Sequence, residues 1–295
     1  MPMKESEAAA IARLFEALPE IPAMPKPIAR VLEVVQRHGV SLSEVADALE
    51  QEPALCAKVL RISNSAYFGM KRQVSTIKLA VVVLGLREVR DIAMGIALFD
   101  AVRGADIDTK TASDIWNHAL AVGAVARRLG NIVDPGFQDG AFIAGLLSDI
   151  GKMLLLTVEG HRYAKLYQEH HETLRSLPAG ERAAFGFSHA ALGQALTDRW
   201  NLPQGLVDAV GAQYREDGIS LRTCRNPELA AIVRAAKSAL DDDFERPMLD
   251  DTALGDDELW DVLNQTRYPI APENRLELLQ DLATTARNLP RIPLF

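Results

Sequence analysis

Apolar residues recur every three to four positions along almost the whole of this 295-residue sequence, which is the spacing of one face of an α-helix. The segments Arg87 to Val102, Ser113 to Leu129 and Pro227 to Leu240 show the pattern clearly. Three consecutive valines between Ile77 and Leu84 are compatible with a strand, but this segment does not alternate with polar residues and lies between helical segments. The pattern predicts an all-α protein, in which Gly130 ends one of the longer helices.

Composition excludes several classes of protein. Hydrophobic residues make up 48% of the chain and charged residues 24%, so the sequence can bury a large core and is not disordered. The formal charge of −8 argues against attraction of the whole molecule to nucleic acid or to an anionic membrane. The first residues form no apolar signal region, and the uninterrupted apolar stretch Leu79 to Leu86 is too short to span a bilayer. We expect a soluble cytoplasmic protein that makes no membrane contact.

One short motif carries chemical information. Residues Ala144 to Lys152 read A-G-L-L-S-D-I-G-K. They resemble the core motif of the HD superfamily of metal phosphohydrolases, A-G-L-L-H-D-I-G-K, with Ser148 in place of the metal-binding histidine. The resemblance implies that the adjacent histidine and aspartate of an HD site bind the same cation. A serine hydroxyl is neutral and is a poor ligand for a transition metal.

Further motifs resemble one branch of that superfamily. The proline-rich segment Leu18 to Pro25, the polar turn Arg61 to Gly69 and the segment Ile77 to Arg90 are similar to the N-terminal half of the HDOD domain, the HD-related output domain of bacterial signalling proteins. The resemblance implies an HD-domain-like bundle of helices with an N-terminal helical subdomain. The implied divisions are a helical extension at 1–17, an HDOD domain at 18–240 (subdomain 18–105, HD-like core 106–240), and an acidic connection, helix and apolar tail at 241–295.

The resemblance also implies where the metal ligands of an HD enzyme would lie. The segment around Trp116 is similar to the helix that carries the first histidine, which makes His118 a retained ligand position, and Asp149 is a second. The pattern L-A-x-x-V-x-x-A-D ends here in Lys237 instead of aspartate. With Ser148 also substituted, two of four ligand positions remain. We therefore expect no metal, no cofactor and no catalytic residue, and we expect the Lys237 ammonium to pair with Asp149 in the place of the ion.

His189 and the pair Gln213 and Tyr214 are also relevant to the metal ligands that the resemblance implies. His189 matches a histidine that is common in the HDOD pattern and follows the helix cap Ser188. It is an additional pocket residue that would complete a three-ligand set with His118 and Asp149 if a metal were bound. His118 alone is more commonly a core histidine that bonds a neighbouring helix. Where catalytic relatives have two histidines after an apolar helix, this chain has Gln213 and Tyr214.

Basic residues cluster between positions 58 and 90 of this otherwise acidic protein. Two interpretations remain open: a surface that binds an acidic partner, a nucleotide or single-stranded RNA, or the ordinary solvated faces of amphipathic helices, which is the commoner case. The candidate partner-binding residues are Lys58, Arg61, Tyr67, Phe68, Lys71, Arg72, Arg87 and Arg90, with Lys78 among them.

These patterns support one leading hypothesis, a non-catalytic HDOD protein that acts by protein–protein contact in bacterial signal transduction. A residual metal-dependent phosphodiesterase or phosphohydrolase is the first alternative. A regulator that binds RNA or a cyclic dinucleotide through the 58–90 surface is the second. The apolar tail Ile292 to Phe295 either docks on its own domain or contacts a partner, and docking is the usual case for a soluble chain.

Overall fold

The computed structural model describes residues 5–18, 46, 49–50, 52–65, 68, 73–104, 106–170, 176–241, 253–289 and 291–293. Within these ranges every regular element is a helix and no strand occurs. The all-α prediction is confirmed. The segment Pro19 to Pro25, the residues Tyr67, Lys71 and Arg72, and most of the acidic connection lie outside the described residues.

Four α-helices lie within the described residues up to position 104. They are α1 (Glu5–Ala17), α2 (Pro53–Ser63), α3 (Ile77–Leu84) and α4 (Leu86–Val102). The three valines lie within α3, whose first turn is capped by the Thr76 hydroxyl accepting a hydrogen bond from the Leu79 amide. Gly85 separates α3 from α4 with a φ of +95°, a conformation that favours glycine.

Ten further α-helices follow within the described residues. They are α5 (Thr109–Val133), α6 (Gln138–Leu147), α7 (Ile150–Glu159), α8 (His161–Glu169), α9 (Leu177–Phe185), α10 (His189–Arg199), α11 (Gln204–Gly211), α12 (Pro227–Asp241), α13 (Asp257–Leu263) and α14 (Arg275–Arg287). Helix α5 packs against α6 and α12, and α4 packs against α6 and α7. Because α4 contacts helices of the predicted HD-like core directly, the two predicted subdomains pack together. The boundary near residue 105 stays a prediction.

Helix α5 is longer than the sequence indicated. It begins at Thr109, where the Asp108 side chain accepts a hydrogen bond from the Thr111 amide, and it continues past Gly130 to Val133. The prediction that Gly130 ends this helix is wrong. A Cβ at this position would lie 3.2 Å from the Phe137 carbonyl oxygen, so the glycine permits close packing against the following turn.

Glycines also bring α5 and α6 into backbone contact. A Cβ on Gly145 would lie 2.8 Å from the Val122 carbonyl oxygen, and one on Gly123 would lie 2.9 Å from the Phe142 carbonyl oxygen. Real side chains do not tolerate such approaches to a backbone atom, so both positions require glycine. This contact holds the turn after α6 beside the face of α5 that carries His118.

The most apolar part of the described chain lies inside the fold. Gly140–Glu159 is a helical stretch long and apolar enough to cross a membrane, but 89% of its most apolar window is buried within the protein. Burial of this kind is typical of a core helix in a soluble protein.

Arg182 forms ion pairs that link helix α1 to another part of the chain. Arg182 Nε donates to Glu7 Oε1 at 2.9 Å, and the same guanidinium pairs with Asp217 through Nη2. Burial raises the pKa of Asp217 to about 6, although the attraction of Arg182 acts in the opposite direction. Arg182 therefore serves two buried carboxylates on different elements.

Candidate functional site: a buried cluster of charges at the turn between α6 and α7

The motif residues Ser148 and Asp149 form the turn between α6 and α7, and both are fully buried. The Ser148 hydroxyl donates to the Gly145 carbonyl at 2.6 Å, within its own helix. The Ser148 carbonyl accepts a hydrogen bond from Gln213 Nε2 at 2.8 Å. Gln213 thus satisfies a backbone group that the break between the two helices leaves without a helical partner.

The Asp149 carboxylate is held by three side chains. His118 Nδ1 lies 2.5 Å from Oδ2, and Lys237 Nζ lies 2.9 Å from Oδ1. Lys152 Nζ also lies 2.9 Å from Oδ1. The ion pair of Lys237 with Asp149 predicted from the sequence is therefore present, and His118 bonds a neighbour as a core histidine does.

Lys152 is the member of this cluster that sequence reasoning missed. Its position could have indicated the contact, because Lys152 follows Asp149 by three residues at the start of α7 and side chains at this spacing share one helix face. The two lysine side chains are almost completely buried, while His118 retains 12% exposure. The cluster therefore meets the surface through the histidine.

The surroundings keep Asp149 ionised. Burial by itself would raise its pKa, but attraction to Lys152, Lys237 and His118 lowers the pKa of this carboxyl well below its usual range. One carboxylate therefore faces two buried ammonium groups.

A second buried group is centred on Glu181 of α9. Its Oε2 accepts hydrogen bonds from the His189 backbone amide and from His189 Nδ1, both at 2.7 Å. Its Oε1 accepts a hydrogen bond from the Tyr163 hydroxyl at 2.7 Å. Burial lowers the pKa of His189, although Glu181 opposes this shift. His189 therefore lies inside the fold, as expected for a pocket residue, but its ring is directed to Glu181.

Tyr214 joins the two groups. Its hydroxyl lies 3.3 Å from His189 Nε2, and its ring lies 5.4 Å from Lys237 Nζ. The residues Gln213 and Tyr214, which occupy the positions of the histidine pair in catalytic relatives, both contact this cluster. Through the Tyr214 ring, the group around Glu181 therefore contacts the group around Asp149.

The side chains present do not fit the metal ion of an HD site. Both oxygens of Asp149 are engaged, and two ammonium groups lie at contact distance from one of them. A cation would have to displace these positive charges. In the described part of the chain, no group of three or more His, Cys, Asp or Glu side chains could hold a metal.

Two basic residues of the 58–90 segment pair with carboxylates of the protein itself. Lys58 Nζ pairs with Asp100 at 2.7 Å, and Arg90 Nη2 pairs with Asp91 at 2.6 Å. The half-buried Phe68 packs against Phe142 with ring centroids 5.5 Å apart. Contacts of this kind are those of ordinary amphipathic helices. The partner-binding role of these residues stays a prediction.

An apolar patch next to these residues was not found from the sequence. Leu79, Val82 and Val83 of α3 are exposed, Val82 to 71%. The basic residues Lys78 and Arg87, also exposed, flank them in the chain. The helical period of α3 contained the signal, because Ile77, Ala80 and Val81 form its buried face and leave these residues outside.

Comparison with known proteins identifies the scaffold. Residues 21–216, more than half of the chain, match the HDOD domain family. The chain belongs to the HDOD family. The HDOD scaffold explains why an HD-like motif lies at the centre of an all-helical protein.

Several known proteins are similar to this chain. An HDOD domain protein with unknown function from Geobacter sulfurreducens is 21% identical, with a TM-score of 0.75 over 99% of each chain. A candidate phosphohydrolase from Shewanella amazonensis SB2B is 24% identical, with a TM-score of 0.66 over 94% of this chain and 97% of that one. An uncharacterized protein of Treponema pallidum (strain Nichols) is 27% identical over 68% of this chain. The matched region covers only 38% of that relative's length.

Proposed function

We propose that this HDOD protein is a non-catalytic regulator that acts through contact with another protein in signal transduction. The observation that carries the proposal is the position of the Lys237 ammonium, 2.9 Å from Asp149 Oδ1. A phosphohydrolase of the HD type needs a cation at its carboxylate to acidify a bound water. Here the positive charge comes from lysine side chains, which cannot supply an open coordination position.

Burial supports the same conclusion. Ser148, Asp149, Lys152 and Lys237 are fully buried, so the centre of the motif is packed with protein atoms. Substrate phosphate and attacking water would need space at this position. The cluster acts as a structural cross-link between α5, α7 and α12.

The exposed face of α3 is the proposed contact surface. Single exposed apolar residues are common on soluble proteins, but three neighbours on one short helix form a patch of the kind that protein partners cover. Such interfaces typically have few charged residues at the centre and polar or charged residues at the rim. The flanking residues Lys78 and Arg87 indicate a partner with an acidic rim.

Partner capture tests the surface. Val82→Asp in the full chain should abolish recovery of the partner from lysate of the native cell, because it places a charge at the centre of the patch. Ile132→Asp is the matched control, since Ile132 is an exposed aliphatic residue on α5. Equal recovery with both variants would remove α3 from the proposal. Steeply salt-dependent binding of RNA or a cyclic dinucleotide would instead favour the nucleotide-binding alternative.

Metal analysis tests the absence of catalysis. Protein purified without chelator should contain no stoichiometric transition metal, and it should not hydrolyse bis(p-nitrophenyl) phosphate in the presence of added Mn²⁺. A stoichiometric metal that is lost with His118→Ala would contradict the proposal and support a residual phosphohydrolase.

A further inference from the structure

Residues 291–293 lie across two helices that are distant in sequence. The Ile292 amide donates to Asn117 Oδ1 of α5 at 2.7 Å, and the Arg291 guanidinium pairs with Asp114 of the same helix at 2.9 Å. On α2, Arg61 donates to the Pro293 carbonyl at 3.4 Å. Ile292 is only 5% exposed and joins the hydrophobic core. We call the region formed by Arg61, Asp114 and Asn117 the α2/α5 surface.

These contacts have the form of peptide recognition. Two of them use the backbone of the bound segment, so another extended peptide could make them. The buried isoleucine and the arginine pair depend on side chains. In known modes of peptide binding, main-chain hydrogen bonds provide affinity and pockets for particular side chains provide specificity. The α2/α5 surface therefore favours a basic residue followed by a β-branched aliphatic residue.

The surface is organised independently of the segment that occupies it. Asn117 Nδ2 donates to the Ser113 carbonyl at 2.7 Å, which directs Oδ1 to the Ile292 amide. The segment itself is held lightly at its ends, because Arg291 is 79% exposed and the Arg61 contact is long. Exposed ion pairs of this kind contribute little to stability. A competing segment need displace only a short stretch of chain.

We propose that the α2/α5 surface is a peptide-binding site, which residues 291–293 occupy in the free protein and which an extended segment of a partner protein occupies in their place. The partner segment carries a basic residue followed by isoleucine or valine. This inference rests on the proposed function. It adds a second point of contact, at which the partner must displace residues 291–293. Arg61 is common to this surface and to the partner-binding residues expected from the sequence.

A labelled peptide tests the proposal with purified protein. The probe is a fluorescein-labelled peptide with the sequence of residues 288–295, and its binding is followed by fluorescence anisotropy. It should bind the full chain carrying Ile292→Asp at least about tenfold more tightly than the wild-type chain, because a tethered segment competes at a high effective concentration. Adding Asn117→Ala to that chain should abolish binding, and a peptide with aspartate in place of its isoleucine should not bind.

The proposal would be overturned by failure of the peptide to bind the Ile292→Asp chain, by equal binding to the wild-type chain, or by binding that Asn117→Ala leaves unchanged. If circular dichroism shows that Ile292→Asp does not fold, Ile292→Ala provides the same comparison. A wild-type dimer that Ile292→Asp converts to a monomer would assign the surface to a second copy of the chain and also overturn it. Because the assay uses neither lysate nor α3 variants, it can fail while partner capture through α3 succeeds.

Discussion

Asp149 is the residue on which the buried charges of this protein depend. Asp149→Asn keeps the size of the side chain but removes the carboxylate that Lys152 and Lys237 share at 2.9 Å. Removal of one partner from a buried ion pair costs about 3–5 kcal/mol. Because two ammonium groups would be left facing each other here, we expect a loss at the upper end of that range, and a melting temperature lower by roughly 10–20 °C.

Lys237→Met is the matched control. It removes one ammonium but leaves Lys152 and Asp149 as a balanced pair, and methionine fills a similar volume. We expect a change in the free energy of unfolding of about 1 kcal/mol or less, because no buried charge loses its counter-ion. Urea unfolding followed by circular dichroism measures both variants, with equal m-values as the check on two-state behaviour. If Asp149→Asn costs no more than Lys237→Met, the reasoning about shared charge is wrong.

The difference in stability between wild type and Asp149→Asn should also depend on pH. The pKa of Asp149 is lower in the folded state than the value of about 3.9 in an unfolded chain, so its contribution is fully present above that value. The contribution is lost as pH falls through the folded pKa. The stability difference between wild type and Asp149→Asn should therefore shrink as the pH falls below about 4.

Three further substitutions have expected outcomes. Gly151→Ala should destabilise the protein by more than about 2 kcal/mol in urea unfolding, because its Cβ would lie 2.0 Å from the His189 carbonyl oxygen; a neutral result would refute this packing. Tyr163→Phe should cost about 1–3 kcal/mol by the same measurement, since it removes a buried donor to Glu181, and no loss would mean that another donor replaces it. Asp217 has a pKa raised to about 6, so its folded form binds protons more tightly than the unfolded chain, and wild type should lose stability relative to Asp217→Asn as pH rises from about 4 to 6; a constant difference would contradict the shift.

Local patterns predicted the helices, and a family resemblance predicted one contact across the fold. The caps Thr76 and Ser188 each accept the hydrogen bond expected at a helix start, because capping depends on only three or four consecutive residues. The pairing of Lys237 with Asp149 was predicted from two motifs that lie 88 residues apart. A resemblance to a family carried that contact, since periodicity alone does not bring distant segments together.

Other features depend on packing that local sequence does not contain. A glycine such as Gly130 commonly follows the last turn of a helix. Here it lies inside α5, because the neighbouring turn leaves little room for a Cβ. Glu181 and Arg182 are the two polar residues of the short helix α9, and nothing nearby marks Glu181 as the buried one. Its role comes from Tyr163 and His189, which belong to two other helices. The exposed patch on α3 likewise depends on which neighbours cover the helix.

The packing around Ser148 and Lys237 determines how many substitutions a metal centre at this position would require. An imidazole at position 148 would need room where a fully buried serine hydroxyl bonds its own helix, and inserting side-chain volume into a packed interior is costly. Gln213 also bonds the Ser148 carbonyl, so this side chain would have to repack as well. An aspartate at position 237 would place a second carboxylate beside Asp149 and leave Lys152 as their shared cation. Neither substitution alone produces a metal site, so installing one requires changes at several packed positions at once.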